Sequence, residues 1–154
     1  MIIRKAKIND AVNIQNIVNY YADKDKMLPR SLNEIYENVR DFWVCEDNGS
    51  IVGCIALHVT WEDLAEIKSL AVKEEYTKRG IGRDLMNQCT EDAKKLGVKK
   101  VFALSYVPEY FKKFGFKEVA KEKLPHKIWN ECIKCPKFPN CGEVALLYNI
   151  KNGN

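Results

Sequence analysis

The segment Arg79-Gly80-Ile81-Gly82-Arg83 lies between a run of strand character and the longest helical pattern in the chain. Two glycines at such a junction let backbone N–H groups come close to a ligand, and the helix start adds the positive end of its dipole. Arginines on both sides supply mobile positive charge. The chemistry this suits is the binding of a pyrophosphate. Gly-x-Gly also marks an ordinary tight turn into a helix, and the spacing alone leaves that reading open. A Rossmann loop is excluded, because the third glycine is missing and the preceding strands form a hairpin meander instead of a βαβ unit. A P-loop is excluded as well, since no Gly-Lys-Ser/Thr ends the segment.

A second group of chemically active residues is Cys132-x2-Cys135 with Cys141. The Cys-x2-Cys core suits zinc, but a closed site needs a fourth ligand, for which His126 is the nearest donor and Glu143 a weaker one. No second Cys-x2-Cys completes the set. We expect no metal requirement for the chemistry and keep structural zinc as the lesser reading. Cys45, Cys54 and Cys89 lie in apolar strand or helix patterns and read as buried small residues. His58, on an apolar strand, reads as a packed histidine.

The elements that must position these groups follow from pattern. Residues 2–8 read as a first strand, and Asn9 or Asp10 caps a helix whose apolar face is Ile14, Ile17, Val18 and Tyr21. Leu28-Pro29-Arg30-Ser31 leads into a second short helix. Phe42 to Cys45 is a strand, Asp47-Asn48-Gly49-Ser50 a hairpin turn, and 51–59 the returning strand. Residues 65–72 form a third meander strand. The long helix that starts at this glycine pair carries Ile81, Leu85, Cys89, Ala93 and Leu96 on one stripe with Met86 beside it, and Gly97 closes it. Residues 98–105 read as a buried strand, 108–114 as a short helix ended by Gly115, and 116–120 and 143–150 as strands. An irregular cysteine-rich excursion, 124–142, precedes the last of them. The order predicts one mixed α/β domain over 1–154.

A chain of 154 residues, 46% hydrophobic and 30% charged, has the composition of a globular domain large enough to need neither disulfides nor metal. No apolar run approaches a membrane span, and the first residues lack the pattern of an export signal, so a cytoplasmic protein with reduced thiols is expected. The net charge of +4 is unevenly shared. Residues 1–72 hold 8 basic and 11 acidic groups and residues 73–154 hold 17 and 10, which suits a polyanionic ligand in the second half, or a solvated lysine-rich surface.

Leu70-Ala71-Val72 running into Lys78-Arg79-Gly80-Ile81-Gly82, followed by Tyr110-Phe111-Lys112-Lys113-Phe114-Gly115-Phe116, resembles the GNAT superfamily of acetyl-CoA-dependent N-acetyltransferases. Thr77 departs from the Gln/Arg that the superfamily places three residues before the first glycine. Leu28-Pro29-Arg30-Ser31, residues 65–72, Phe102-Ala103-Leu104-Ser105, Leu124-Pro125-His126-Lys127-Ile128-Trp129 and the cysteine tail are similar to the amino-acid N-acetyltransferase branch. That branch includes stand-alone N-acetylglutamate synthases of arginine biosynthesis. The fold implied is a mixed, mostly antiparallel central sheet with helices on both faces. The resemblance implies that Leu70, Ala71, Val72, Lys78, Arg79, Gly80, Ile81, Gly82, Arg83 and Phe111 contact acetyl-CoA.

The same resemblance implies roles for three further residues, and strand alternation adds a fourth. Glu66, between Ala65 and Ile67 where desolvation acts on it, matches the general base that takes a proton from the acceptor amine. The family's tyrosine for the departing thiolate is Phe111 here, with Tyr110 one place early and expected to point elsewhere. Ser105 matches the hydroxyl that the branch offers instead, as hydrogen-bond donor or water relay, with Tyr106 in reserve. Arg30 matches a substrate arginine whose fork grips a carboxylate, and Lys68 alternates to the same face as Glu66. The expected acceptor is an amino acid, glutamate foremost. Expected partners are that small molecule alone, with no nucleic acid, no membrane, and a homodimer left open. The competing readings are a different small amine or protein amine as acceptor, and a CoA- or metal-binding regulatory module without turnover.

Overall fold

The computed structural model describes residues 1–124 and 143–150. His126, Cys132, Cys135 and Cys141, the residues of the zinc reading, lie outside those described. Among the described residues no group of three or more His, Cys, Asp or Glu side chains is placed to hold a metal.

The elements run β1 (Ile2–Lys5), α1 (Ala11–Ala22), α2 (Leu32–Glu37), β2 (Phe42–Asp47), β3 (Ser50–Trp61) and β4 (Leu64–Val72). They continue with α3 (Ile81–Leu96), β5 (Lys100–Ser105), α4 (Pro108–Lys112), β6 (Lys117–Val119) and β7 (Val144–Asn149). The strands form one seven-stranded sheet in the order β1-β2-β3-β4-β5-β7-β6. Among the described residues every pairing is antiparallel except β4 with β5. The last strand therefore inserts between β5 and β6, an order set by long-range pairing.

Helices cover both faces, and strand alternation divides the apolar side chains between them. On β3, Val52, Ile55 and Leu57 join Ile81, Leu85, Cys89 and Ala93 of α3 in one core. Ile51, Cys54 and Ala56 join Ile14, Ile17 and Val18 of α1 and Ile35 of α2 in the other. Burial pushes the Cys54 thiol up to about 12, so it remains a neutral packing group.

Local signals explain most boundaries. Asn48 and Gly49 both take positive φ (50° and 82°), which is what a two-residue hairpin closing the Asp47–Ser50 rung requires. Ser31 caps α2 by accepting from the Glu34 N–H, with Glu34 reaching back to it. Gly97, at φ 88°, ends α3 in a Schellman turn: its N–H donates to Lys94 and that of Val98 to Ala93. Val98 thereby closes the apolar stripe, and Leu96, expected on it, is 60% exposed.

The first strand is shorter than the sequence suggests, because Asp10 does more than begin a helix. It caps nothing with its side chain in α1; its carboxylate takes both ends of the Arg4 guanidinium (2.8 and 3.1 Å) and the Lys7 N–H (2.7 Å). Residues Ile8–Asp10 turn as a 3-10 helix to allow this. Arg4 also donates to Glu46 on β2 at 3.0 Å, so the cluster ties edge strand, turn and second strand together.

Arg4 holds the nearly buried Asp10 carboxyl below the usual carboxylate range. Its contribution is therefore complete above the unfolded value of about 3.9 and is lost as pH falls toward the lower folded value. Asp10→Asn should cost about 1.5–3 kcal/mol near neutrality in urea titrations. The gap to the unsubstituted protein should shrink progressively below about pH 4.

Candidate acetyl-transfer site

The parallel pairing of β4 with β5 covers only three rungs: Leu64 with Lys100, Ala65 with Val101, and Glu66 with Phe102. Beyond Glu66 the strands part, β4 running on to Val72 and β5 to Ser105. A cavity of about 1090 Å³ opens along the parted strands and touches both faces of the sheet. Glu66 stands at its apex, paired with His58 of β3 on one side and Phe102 on the other, and is 7% exposed.

Which way each wall residue faces is decided by a bulge. Ser69 takes φ 57°, and the register against β3 slips between Cys54–Ala71 and Ala56–Lys68. Before the bulge, Glu66 and Lys68 share the α1/α2 face with His58 and Ala56. After it, Leu70 and Val72 pack against the α3 core while Ala71 joins the α1 core. The bulge thus puts the acid and amine on one face and the apolar wall of the α3 side on the other.

On the α1/α2 side, Arg30 is anchored by its backbone: its N–H donates to Asn19 Oδ1 (3.1 Å) and its carbonyl accepts from Gln15 (3.4 Å). Its guanidinium donates to Ser69 Oγ (3.4 Å) and lies 3.6 Å from Glu34. Glu34 and Glu37 also line this side. On the α3 side, Ser105 shares the alternation of Val101 and Ala103, which pack in the α3 core. Its hydroxyl accepts from the Val107 N–H at 2.9 Å, which leaves its own O–H to donate. Three residues of strand place it about 10 Å beyond the Glu66 rung, on the opposite arm.

The mouth of the cavity is the start of α3. Lys78 (φ 65°) and Gly80 (φ 80°) both turn left-handed, and no side chain caps the helix. Its first-turn amides and dipole end are thus presented at Gly80, Ile81 and Gly82, beside Lys78 and Arg83. Those groups fit a pyrophosphate. Arg79 is placed differently from this set: its guanidinium lies over the Tyr76 ring, 4.7 Å from the centroid, and it does not line the cavity.

Phe111 is buried, lies edge-on to Phe116 and lines the cavity. Tyr110, expected to point elsewhere, lines it too, and burial raises the pKa of its phenol so that it stays protonated. A Cβ on Gly82 would collide with the Tyr110 hydroxyl oxygen, so an aromatic neighbour restricts this position to glycine. His58, read from the sequence as core, is a half-buried cavity residue with Nδ1 2.7 Å from Asp41 Oδ2. The clue in the sequence was a polar ring within hairpin reach of Glu66.

The chain therefore presents a mostly antiparallel sheet wedged open at the parallel β4–β5 pair, with a buried acid at the apex and a glycine-lined helix start at the mouth. Residues 8–116 match the Acetyltransferase (GNAT) family, and the chain belongs to that family. It is an acetyl-CoA-dependent N-acetyltransferase. It is 35% identical over 136 residues to an amino-acid acetyltransferase of Mycobacterium tuberculosis, covering 86% of this chain and 78% of the relative. It is 41% identical over 148 residues to an uncharacterized N-acetyltransferase of Chlorobaculum tepidum, covering 96% of each. Among solved structures, Rv2747 from M. tuberculosis in complex with CoA and NLQ superimposes with a TM-score of 0.85 at 30% identity, over 98% of this chain and 100% of that one. The N-acetylglutamate synthase of Neisseria gonorrhoeae, complexed with coenzyme A and N-acetyl-glutamate, shares the fold with a TM-score of 0.90 at 24% identity. The match covers 98% of this chain and 35% of that longer one.

The contact of Gly82 with Tyr110 gives a direct test. Gly82→Ala should destabilise the protein by about 1–3 kcal/mol in denaturant titrations. Adding Tyr110→Phe should recover most of that loss, because the next tyrosine atom, Cζ, stands at an ordinary 3.4 Å.

Proposed function

We propose that this acetyltransferase acts on the α-amine of an amino acid, with L-glutamate the favoured acceptor, and so makes N-acetylglutamate for arginine biosynthesis. The observation that carries the reading is the grouping of Arg30 and Lys68 with Glu66 on one side of the cavity. Two cations suit the two carboxylates of an α-amino dicarboxylic acid, and a buried carboxylate suits the amine between them. The name of the M. tuberculosis relative supports the amino-acid class.

Acetyl-CoA supplies an acyl group activated as a thioester. The first-turn amides of α3 with Lys78 and Arg83 hold the diphosphate end, and the apolar arm of Leu70 and Val72 leads inward from it. Glu66 takes the proton that the amine must lose before it attacks, directly or through one water. Ser105, on the other arm and the other face, donates its O–H toward the departing sulfur side. A direct transfer needs the acid and the hydroxyl to flank one reacting centre, and the lining of one cavity by both supports that reading.

Glu34 and Glu37 on the same wall favour a second reading, a cationic amine as acceptor. A thiol-release assay with acetyl-CoA against the common amino acids and a set of polyamines separates the two. Glutamate should give the highest kcat/KM, and preference for a polyamine would favour the second reading. Arg30→Ala should raise the glutamate KM roughly 10–100-fold, as expected for loss of a charge-assisted pair. Glu66→Gln should lower kcat by about 10²–10⁴.

A further inference from the structure

A base buried at the closed end of a wedge must dispose of the proton it takes, or the next turnover begins with the base already protonated. Glu66 has one strand neighbour on each side. Phe102 is fully buried and has nothing to titrate. His58, directly opposite on the antiparallel rung, shares its face, and facing Cβ atoms on such a rung lie about 4.5–5.5 Å apart.

The histidine is not idle. Asp41 Oδ2 sits 2.7 Å from its Nδ1, from the 3-10 turn Val39–Asp41 that leads into β2. A carboxylate in that position fixes the ring with its proton on Nδ1 and its basic lone pair on Nε2, and it stabilises the imidazolium once a second proton arrives. The exposures are graded: Glu66 is 7% exposed, while the side chains of His58 and Asp41 are 31% and 26% exposed. The pair thus lies between the buried acid and water.

We propose that His58, held by Asp41, is a positioning residue for Glu66 that carries its proton to solvent. The inference rests on the reading of Glu66 as the base. The amine N–H bond breaks and a Glu66 O–H bond forms. That O–H bond then breaks as Nε2–H forms, giving an imidazolium against the Asp41 carboxylate. A water or buffer base takes the Nε2 proton and restores the neutral ring, with no change of oxidation state. Asp41 at the ring and Glu66 across the rung favour the imidazolium, and the other charges that line the cavity divide in sign: Glu34 and Glu37 of the α2 side and Glu143 ahead of β7 favour it, while Lys26, Arg30, Lys68, Lys78 and Arg83 oppose it.

Steady-state kinetics on the full chain between about pH 6 and 9 tests this, with unsubstituted protein, His58→Ala, Asp41→Asn and Glu66→Gln compared. In His58→Ala we expect kcat to fall roughly tenfold or more, the KM for acetyl-CoA to stay within about twofold, and added imidazole to restore much of kcat. In Asp41→Asn the rising limb of the kcat profile should move to lower pH, because the imidazolium loses its carboxylate. Unchanged kcat and pH profile in both variants would overturn the proposal, as would a loss that imidazole does not relieve. Acetyl-CoA binding by the variants confirms that they are folded. If Glu66→Gln keeps full turnover, the base reading itself fails. If Glu66→Gln is inactive while His58→Ala behaves as the unsubstituted protein, the relay alone fails.

Discussion

The pairing of β4 with β5 stops at the Glu66–Phe102 rung, and the arrangement of the site depends on that stop. Where the ladder ends, backbone groups of both strands turn from each other toward the cavity, and a pathway opens through an otherwise continuous sheet. The residue on the last rung is held from both sides by main-chain pairing, which fixes where its side chain leaves the strand. Wedge and buried acid share one cause.

From that apex the two faces divide the labour. The α1/α2 side carries charge: Glu66, Lys68, His58, and Arg30 pinned to α1 through its own backbone. The α3 side carries an apolar arm and a helix start with uncapped amides. Ser69 makes the division sharp. Its left-handed backbone flips the alternation of β4 in mid-strand, and its hydroxyl accepts from the Arg30 guanidinium, so one residue sets both the wall and the cation. A serine in that conformation is strained relative to glycine. The α1 and α3 cores on either side keep it there.

Much of this was legible in the chain. The Asn48-Gly49 turn, the stripe of α3 from Ile81 to Ala93, the Gly97 terminator and the glycine-rich helix start all rest on short-range rules that a sequence displays. Arg30, Glu66 and Ser105 were found through resemblance and Lys68 through strand alternation, and the fold brings all four to one cavity. What stayed hidden depends on register and long-range pairing. Nothing about serine announces positive φ, so the flip at Ser69 was invisible. The bulge between Val59 and Trp61 has the same effect: symmetric counting across Glu62-Asp63 sets Ile67 opposite His58, whereas the structure sets Glu66 there. His58 was read as core from its apolar strand alone, and a hairpin count would not have corrected that. Tyr110 escaped for a different reason, since its place over Gly82 comes from packing between two helices far apart in sequence.

The most direct test of the central claim is a crystal structure with a bisubstrate compound in which CoA sulfur is joined through an acetyl bridge to the α-nitrogen of glutamate. The diphosphate should lie on the first turn of α3 and the linked nitrogen at the wedge apex. That nitrogen should lie within hydrogen-bonding reach of Glu66 or one water from it, with the side-chain carboxylate on Arg30. A complex in which the nitrogen lies away from the Glu66 rung, or in which the glutamate moiety leaves the α1/α2 side altogether, would contradict it.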